Sequence, residues 1–368
     1  MFPRILGSLL RTTPTIAPVA NRGVLSITGS HFSEFLNGLV ATSVRGPSRN
    51  QFSTILHAQG RVMYDIFLYA TSNGYLLEFD TRESKATPLL SYFKRHVLRS
   101  KVKIRDATDE FDVWAVWGSE NNRNWETERQ WLRAQSGAIE PDWSQCEEWP
   151  WGTQENVIQD RRAVGMGRRL LVKKGDKPQE ASTHDIMPTE EYLLHRILNG
   201  VPEGTTEIQP MQAFPMNSNL DVMGGLDFRK GCYVGQELTV RTYHTGVVRK
   251  RIMPVIIHRW ENEESLLHLS DGGDRLTLTQ FGEDIRSEST DNDTGLNTVL
   301  RSPKVGRLLS THESVGLALV QTESALAQKR GDCKLNLQTL NVNGAKECKL
   351  GVTPYWPDWW PFERSSKP

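Results

Sequence analysis

Apolar residues in the first third of the chain repeat with two periods, which predict a mixture of helices and strands. Helix faces are predicted by apolar side chains at spacings of three, four and seven residues: Phe32, Phe35, Leu36 and Leu39, then Leu89, Phe93 and Val97. Strands are predicted at residues 24–27, 61–69, 75–79 and 111–117, with Asn73-Gly74 as a two-residue hairpin turn. Short strands alternating with helices indicate an α+β fold.

The pattern changes in the second half of the chain. A helix is predicted over residues 190–198, with Thr189 as its cap and Gly200 beyond its end. After residue 246 strands dominate, at 247–257, 305–310, 315–321 and 333–340, and Asn343-Gly344 offers another hairpin turn. We expect a small C-terminal β-barrel or sandwich, and the barrel is our prediction for residues 246–354.

The amino terminus has the composition of a mitochondrial transit peptide. No acidic residue precedes Glu34, whereas Arg4, Arg11 and Arg22 stand among hydroxyl and apolar side chains. We therefore predict a leader over residues 1–22, folded structure from Gly23, and a location in the mitochondrial matrix. The alternative is a disordered amino terminus without a targeting signal.

Three segments stand apart in composition. Seven tryptophans fall between residues 114 and 151, and predict a Trp-rich insertion near 119–152 that packs against the body or, alternatively, stacks on a cofactor. Residues 261–304 are predicted to form an acidic loop, either solvated or used for docking. The aromatic tail, residues 355–368, either packs back or binds a partner.

Charge and cysteine usage exclude several classes of function. Lysine plus arginine equals aspartate plus glutamate, at 44 each, so the composition does not support nucleic-acid binding. No apolar run reaches the roughly 18–20 residues that span a bilayer. Four cysteines, at 146, 232, 333 and 348, lack disulfide-framework or zinc spacings and indicate a reducing compartment.

The segment 225–241 contains the strongest candidate for chemistry, Cys232. Glycines at 231 and 235 permit unusual backbone angles or close approach of a ligand. If a helix begins at Gln236, its positive end together with Lys230 would favour the thiolate, the form that binds iron. A buried structural cysteine is the alternative. One cysteine cannot hold a cluster alone, so a metal role requires ligands from a partner.

The run Lys230-Gly-Cys-Tyr-Val-Gly-Gln-Glu237 resembles the signature of the folate-binding YgfZ family, relatives of the glycine-cleavage T-protein (GcvT). The resemblance covers most of residues 23–322. It includes residues 35–39, 58–62, Asp65, 160–162, 167–169, 192–204, 246–251, 305–308 and 316–318.

This resemblance implies a three-module ring of the GcvT/YgfZ type, with a folate-binding α+β region over residues 23–245. For mitochondrial members it implies a late step of iron–sulfur assembly. A transient [2Fe-2S] cluster would be shared with A-type scaffold proteins, for client [4Fe-4S] enzymes of the aconitase and lipoate synthase type. Cys232 would be the working cysteine and metal ligand. The cofactor would be tetrahydrofolate. Its binding residues would be Asp65, Lys230, Gly231, Tyr233, Gly235, Gln236, Glu237 and Arg241.

Asp65 marks a departure from the T-protein, which carries two adjacent acids where this chain has Tyr64-Asp65. Strand alternation puts Asp65 on the face of Met63, Phe67 and Tyr69. A carboxylate there must be paired or ligand-facing, so Asp65 is either a folate contact or a structural hydrogen bonder. A folate-dependent aminomethyl transferase is accordingly the alternative function, and a scaffold acting through its acidic loop or aromatic tail is a third.

Overall fold

The computed structural model describes residues 10–44, 48–118, 129–260, 283–289, 302–340 and 347–361. The chain divides into two compact units, which are treated separately. Unit 1 is residues 1–248 with 359–368, and unit 2 is residues 249–358. Among the described residues, no helix is long and apolar enough to cross a membrane.

One sheet of unit 1 has the strand order β3-β4-β5-β2-β6, with every neighbouring pair antiparallel. Its strands are β2 (Arg22–Thr28), β3 (Gln51–Leu56), β4 (Val62–Thr71), β5 (Gly74–Asp80) and β6 (Lys103–Asp106). Two helices, α1 (Phe32–Asn37) and α2 (Leu89–His96), bury their predicted apolar faces against one side of it. The hairpin pairs Thr71 with Gly74, so its turn is Ser72-Asn73, one residue earlier than predicted.

A second sheet of unit 1 has the order β10-β11-β7-β1-β12. Its strands are β1 (Thr15–Pro18), β7 (Phe111–Trp117), β10 (Val157–Gln159), β11 (Arg168–Lys173) and β12 (Asp185–Ile186). Strand β1 corrects the predicted start of folded structure at Gly23. Ile16 and Ala17 are fully buried, one in each core that flanks this sheet. The leader expected over residues 1–22 is described only from residue 10 onward, and residues 1–9 lie outside the described residues.

The Trp-rich segment contributes to the core of unit 1 where it is described. A hairpin of β8 (Gln130–Arg133) and β9 (Ile139–Asp142) precedes Trp149, whose indole N–H donates to the carbonyl of Asn50 at 2.6 Å. Trp151 is buried and stacks on Phe52, with ring centroids 6.0 Å apart. The packing interpretation is confirmed for these two rings, and residues 119–128 lie outside the described part.

The described part of unit 1 also contains the helices α3 (Thr189–Leu198), α4 (Gly204–Glu207) and α5 (Gln236–Thr245). The predicted helix at 190–198 is α3.

The aromatic tail contacts unit 1 through Trp359, which donates its indole N–H to the carbonyl of Asn199 at 3.0 Å. For Trp359, packing back is therefore observed, and residues 362–368 lie outside the described residues.

Unit 2 is a closed six-stranded barrel with the order β13-β16-β15-β14-β17-β18, which confirms the predicted barrel. Its elements are β13 (Lys250–Arg259), β14 (Asp284–Ser289), β15 (Lys304–His312), β16 (Val315–Gln321), α6 (Thr322–Arg330), β17 (Cys333–Leu340) and β18 (Glu347–Pro354). Strand β14 corrects the expected acidic loop at 261–304, because its Ile285 is buried in the barrel core. The rest of that loop, 261–282 and 290–301, is outside the described residues.

Candidate functional site

Cys232 is exposed on a short loop that leads into α5. Gly235 caps the helix with φ at +84°, in the left-handed region that favours glycine. A Cβ at this position would also overlap the carbonyl oxygen of His57. The predicted need for glycine is confirmed at Gly235, and so is the predicted helix start at Gln236, whereas Gly231 has no positive φ. Exposure excludes the alternative that Cys232 is a buried structural cysteine.

Lys230 anchors the loop rather than standing free beside the sulfur. Its ammonium donates to three backbone carbonyls in the turn between α1 and β3: Asn37 at 2.8 Å, Val40 at 2.7 Å and Thr42 at 3.0 Å. Three acceptors match the three protons of an ammonium group. These contacts give Lys230 a structural role in the loop, and its effect on the Cys232 thiolate stays a prediction.

Further hydrogen bonds hold the loop on both sides of Cys232. On the amino-terminal side, Asp227 Oδ1 accepts from the backbone N–H groups of Arg229 at 2.9 Å and Lys230 at 3.1 Å. On the other side, the N–H of Val234 donates to the carbonyl of Gly38 at 3.1 Å. The N–H of Tyr233 donates to Gln236 Oε1 at 3.2 Å. The sulfur of Cys232 is thus presented on a turn whose backbone is held by hydrogen bonds on both sides.

Tyr233 is a buried support of this turn. Its ring lies in the core of unit 1, 4.8 Å from the ammonium of Lys230, and burial raises the pKa of its hydroxyl. The hydroxyl has no hydrogen-bond partner, so Tyr233 acts here mainly as an apolar wedge. The remaining predicted contacts, Gly231, Glu237 and Arg241, are exposed on the loop and on α5.

Glu140, which the sequence did not single out, joins the two arms of the Cys232 loop. It is buried on β9, and burial raises its pKa. Tyr243 of α5 donates its hydroxyl to Glu140 Oε1 at 3.3 Å, and Arg229 Nη2 lies 3.6 Å from Oε2. Phe228 also stacks on Tyr243 at 4.1 Å. In the sequence, Glu140 is only an acidic residue within the Trp-rich segment. Its partner Tyr243 lies 103 residues away, so no local pattern connects the two.

Asp65 lies apart from this exposed loop, in the buried layer between the two sheets of unit 1. It shares a face of β4 with Phe67 and Tyr69 as predicted, but Met63 packs on the other side. The reason is a register shift between Ile55 and Leu56 of the paired strand, which breaks the alternation of β4 before Asp65.

The carboxylate of Asp65 is used structurally. Its Oδ1 accepts from the backbone N–H of Gly204 at 3.0 Å, and its Oδ2 lies 3.8 Å from Arg22 Nη1. Burial raises the pKa of Asp65. Tyr64, which stands where the T-protein has its second acid, donates its hydroxyl to the carbonyl of Thr87 at 3.0 Å. The contacts favour the structural role for Asp65, and a folate contact stays a prediction.

Glu78 on β5 is the centre of an ion network that crosses between the sheets. Arg169 on β11 of the facing sheet donates from Nη2 at 2.6 Å and from Nε at 2.9 Å, and Arg22 donates from Nε at 2.6 Å. Tyr69 donates its hydroxyl to Oε2 at 2.8 Å. Burial opposes ionisation, yet the two arginines lower the pKa of Glu78.

Glu203 extends the same network. It accepts from Arg162 at 2.8 Å, Arg169 at 3.0 Å and the hydroxyl of Tyr192 at 2.9 Å. Arg162 in turn pairs with Asp160 at 2.6 Å. Although burial disfavours a charge here, Arg169 and Arg162 lower the pKa of Glu203 well below its usual value. We call these buried groups the inter-sheet network: Arg22, Asp65, Tyr69, Glu78, Asp160, Arg162, Arg169, Tyr192 and Glu203.

The residues of the inter-sheet network do not fit tetrahydrofolate in their present arrangement. A pterin needs polar groups that converge on an open cleft. Here Glu78 and Glu203 accept hydrogen bonds from arginines and tyrosines of the same chain. Three atoms have no hydrogen-bond partner, Asp65 Oδ2 and the two Nη atoms of Arg22, and all three are closed to solvent.

Among the described residues, no three histidine, cysteine, aspartate or glutamate side chains are grouped so that they could hold a metal ion. Cys232 belongs to no such group, and its role as a metal ligand stays a prediction.

The fold and the barrel place the chain in a class. It is similar in structure to the glycine cleavage system aminomethyltransferase T from Bartonella henselae, with a TM-score of 0.57 at 12% identity, covering 95% of this chain and 87% of that one. Residues 249–362 match the family model "CAF17, C-terminal beta-barrel domain". These findings define a GcvT-like fold with a CAF17-type C-terminal barrel, and confirm the predicted fold class.

Curated relatives identify the family within that class. The chain is 38% identical to the mitochondrial iron–sulfur cluster assembly factor IBA57 homologue of Cryptococcus neoformans var. neoformans, over 85% of this chain and 84% of that protein. It is 34% identical to the homologue of Coccidioides immitis, over 90% and 76%. For Mycosarcoma maydis the identity is 30%, over 96% and 86%. The chain belongs to this family of mitochondrial IBA57 homologues, as the resemblance of its motif predicts.

Proposed function

We propose that this protein acts in the assembly of mitochondrial iron–sulfur clusters, and that Cys232 is its working residue. Membership of the IBA57 family supports the general role and the mitochondrial location. The observation that carries the residue assignment is the exposure of Cys232 on a loop anchored by Lys230. A sulfur held in this way can reach a metal centre that is bound on another protein.

The cluster is cargo, and the chain supplies one of its ligands. A [2Fe-2S] cluster takes four protein ligands, so three others must come from a partner or a small thiol. An A-type scaffold protein is the partner we propose. The products would be [4Fe-4S] enzymes of the aconitase and lipoate synthase type, and the compartment would be the matrix.

Reconstitution tests this proposal. The full chain is mixed with an A-type scaffold loaded with [2Fe-2S], and complex formation and the visible absorbance of the cluster are followed. We expect a cluster-dependent complex for the wild type and its loss for Cys232→Ser. Cys146→Ser is the matched control, because Cys146 is a half-buried thiol outside the loop. A Cys232→Ser protein that holds and transfers the cluster like the wild type would refute the assignment.

A further inference from the structure

The inter-sheet network lies where the resemblance to folate proteins places a cofactor contact, at Asp65, yet its charges are matched within the chain. Arg169 pairs with both Glu78 and Glu203, and so connects acids from two different segments. Arg162 likewise pairs with both Glu203 and Asp160. Each of these four arginine–acid pairs is almost completely buried, with no side chain more than 6% exposed.

The aromatic side chains of the layer also face the arginines instead of an open cleft. The Arg169 guanidinium lies 4.6 Å from the centre of the Phe67 ring, and that of Arg162 lies 4.8 Å from the same ring. Cation–π contacts of this kind occupy the ring faces on which a flat ligand would stack. The carboxylates of Glu78 and Glu203 and the ring faces of Phe67 are thus already used within the chain.

Two of the three unsatisfied atoms of the network lie close to each other. Asp65 Oδ2 and Arg22 Nη1 are 3.8 Å apart, slightly beyond hydrogen-bonding distance. Neither atom is reached by solvent. A small shift of either side chain would pair them, whereas a two-ring pterin would have to separate them and displace their neighbours.

We infer that the inter-sheet network has replaced a folate in unit 1, and that the protein does not take tetrahydrofolate through Asp65 and this layer. Arginines and acids of the chain itself supply the contacts that a cofactor would otherwise make. This inference does not depend on the role of Cys232, because the sulfur lies on an exposed loop and the network is buried.

Direct binding measurements test the inference without any activity assay. Tetrahydrofolate, kept reduced, is titrated into the full chain by calorimetry, and its effect on the unfolding midpoint is recorded. We expect no saturable heat up to about 1 mM and no increase in the midpoint. Asp65→Asn serves as the variant in the layer and Glu140→Gln as the matched control outside it, each checked for a native near-ultraviolet spectrum.

Two outcomes remain decisive if binding is seen. Saturable binding that Asp65→Asn weakens about tenfold or more, and Glu140→Gln does not, would overturn the inference. Equal affinity for the wild type, Asp65→Asn and Glu140→Gln would mean that the ligand binds outside the inter-sheet network. In that case the inference would be upheld. If Asp65→Asn does not fold, Thr54→Ala replaces it, because Thr54 pairs opposite Asp65 and its hydroxyl has no partner.

Discussion

At the scale of single residues, Lys230 shows how a cationic motif residue can act through the main chain. A lysine next to a cysteine suggests thiolate stabilisation, and this was our expectation from the sequence. In the structure its ammonium also donates to the carbonyls of residues 37, 40 and 42. Its function in the motif is therefore to fix the position of the turn that carries Cys232.

Replacing Lys230 by methionine keeps the aliphatic stem and removes the three donors. We expect the unfolding free energy to fall by about 2–3 kcal/mol, because three carbonyls lose a charged donor at a half-buried site where water replaces part of the lost interaction. Hydrogen exchange should rise in residues 227–235. Arg241→Met is the control, since Arg241 is exposed on α5. Equal effects of the two variants would contradict the anchoring role.

At the scale of elements, the contact of α3 with β7 depends on an uncharged histidine. His195 stacks on Trp117 with centroids 4.8 Å apart, and its Nε2 lies 3.0 Å from the carbonyl of Gly165. Burial lowers the pKa of His195 to about 4. The neutral ring with a proton on Nε2 can donate to Gly165, and protonation of the other nitrogen would bury a charge.

This contact predicts a loss of stability in acid. The unfolded chain takes up the proton near pH 6.5 and the folded chain near pH 4, so the unfolding free energy declines as the pH falls through that window. The contribution is about 3 kcal/mol in total. Chemical denaturation at pH 7 and pH 5 should show it for the wild type and show much less for His195→Gln.

Comparison with the variant is needed because other buried groups titrate in acid. The pKa of Asp65 is raised by burial, which acts in the opposite direction. Parallel pH profiles for wild type and His195→Gln would refute the assignment to His195.

Local patterns in the sequence predicted most elements but not the contacts between distant ones. Apolar spacing located α1 and α2, and alternation placed Asp65 on the correct face of β4. The end signals Thr189 and Gly200 located α3, although Thr189 is the first residue of that helix and not its cap. The bulge that places Met63 on the opposite face of the sheet from Asp65 cannot be predicted from the alternation of apolar side chains. Strand β1 was missed because Thr15–Pro18 is short and lies within a leader-like composition. Glu140 was missed because its partners are brought to it only by the fold.

At the scale of the whole molecule, the inter-sheet network joins the two sheets of unit 1 by charge as well as by apolar packing. Buried ion pairs do not by themselves make a protein more stable, since desolvation offsets their attraction. Removing one partner has a much larger effect, because an unpaired charge is left inside. Arg169 is the clearest case, as it serves both Glu78 and Glu203.

Arg169→Met should therefore lower the unfolding free energy by about 3–5 kcal/mol. Its neighbour Arg168 is a matched control, since it pairs with Glu180 at 3.0 Å in a partly exposed setting. Arg168→Met should change stability by less than about 1 kcal/mol. Thermal and urea unfolding of both variants measure the difference, and similar values for the two would show that the network is not a structural link.

The position of β1 bears on how the protein matures. Thr15 and Ile16 pair with β12 on one side, and the whole strand pairs with β7 on the other, so it is an interior strand of its sheet. A presequence peptidase that cut at residue 22 would remove a central strand and leave two edges without a neighbour. If a leader is removed, this fold requires the cut to fall before Thr15, because β1 is paired with a neighbouring strand on both sides.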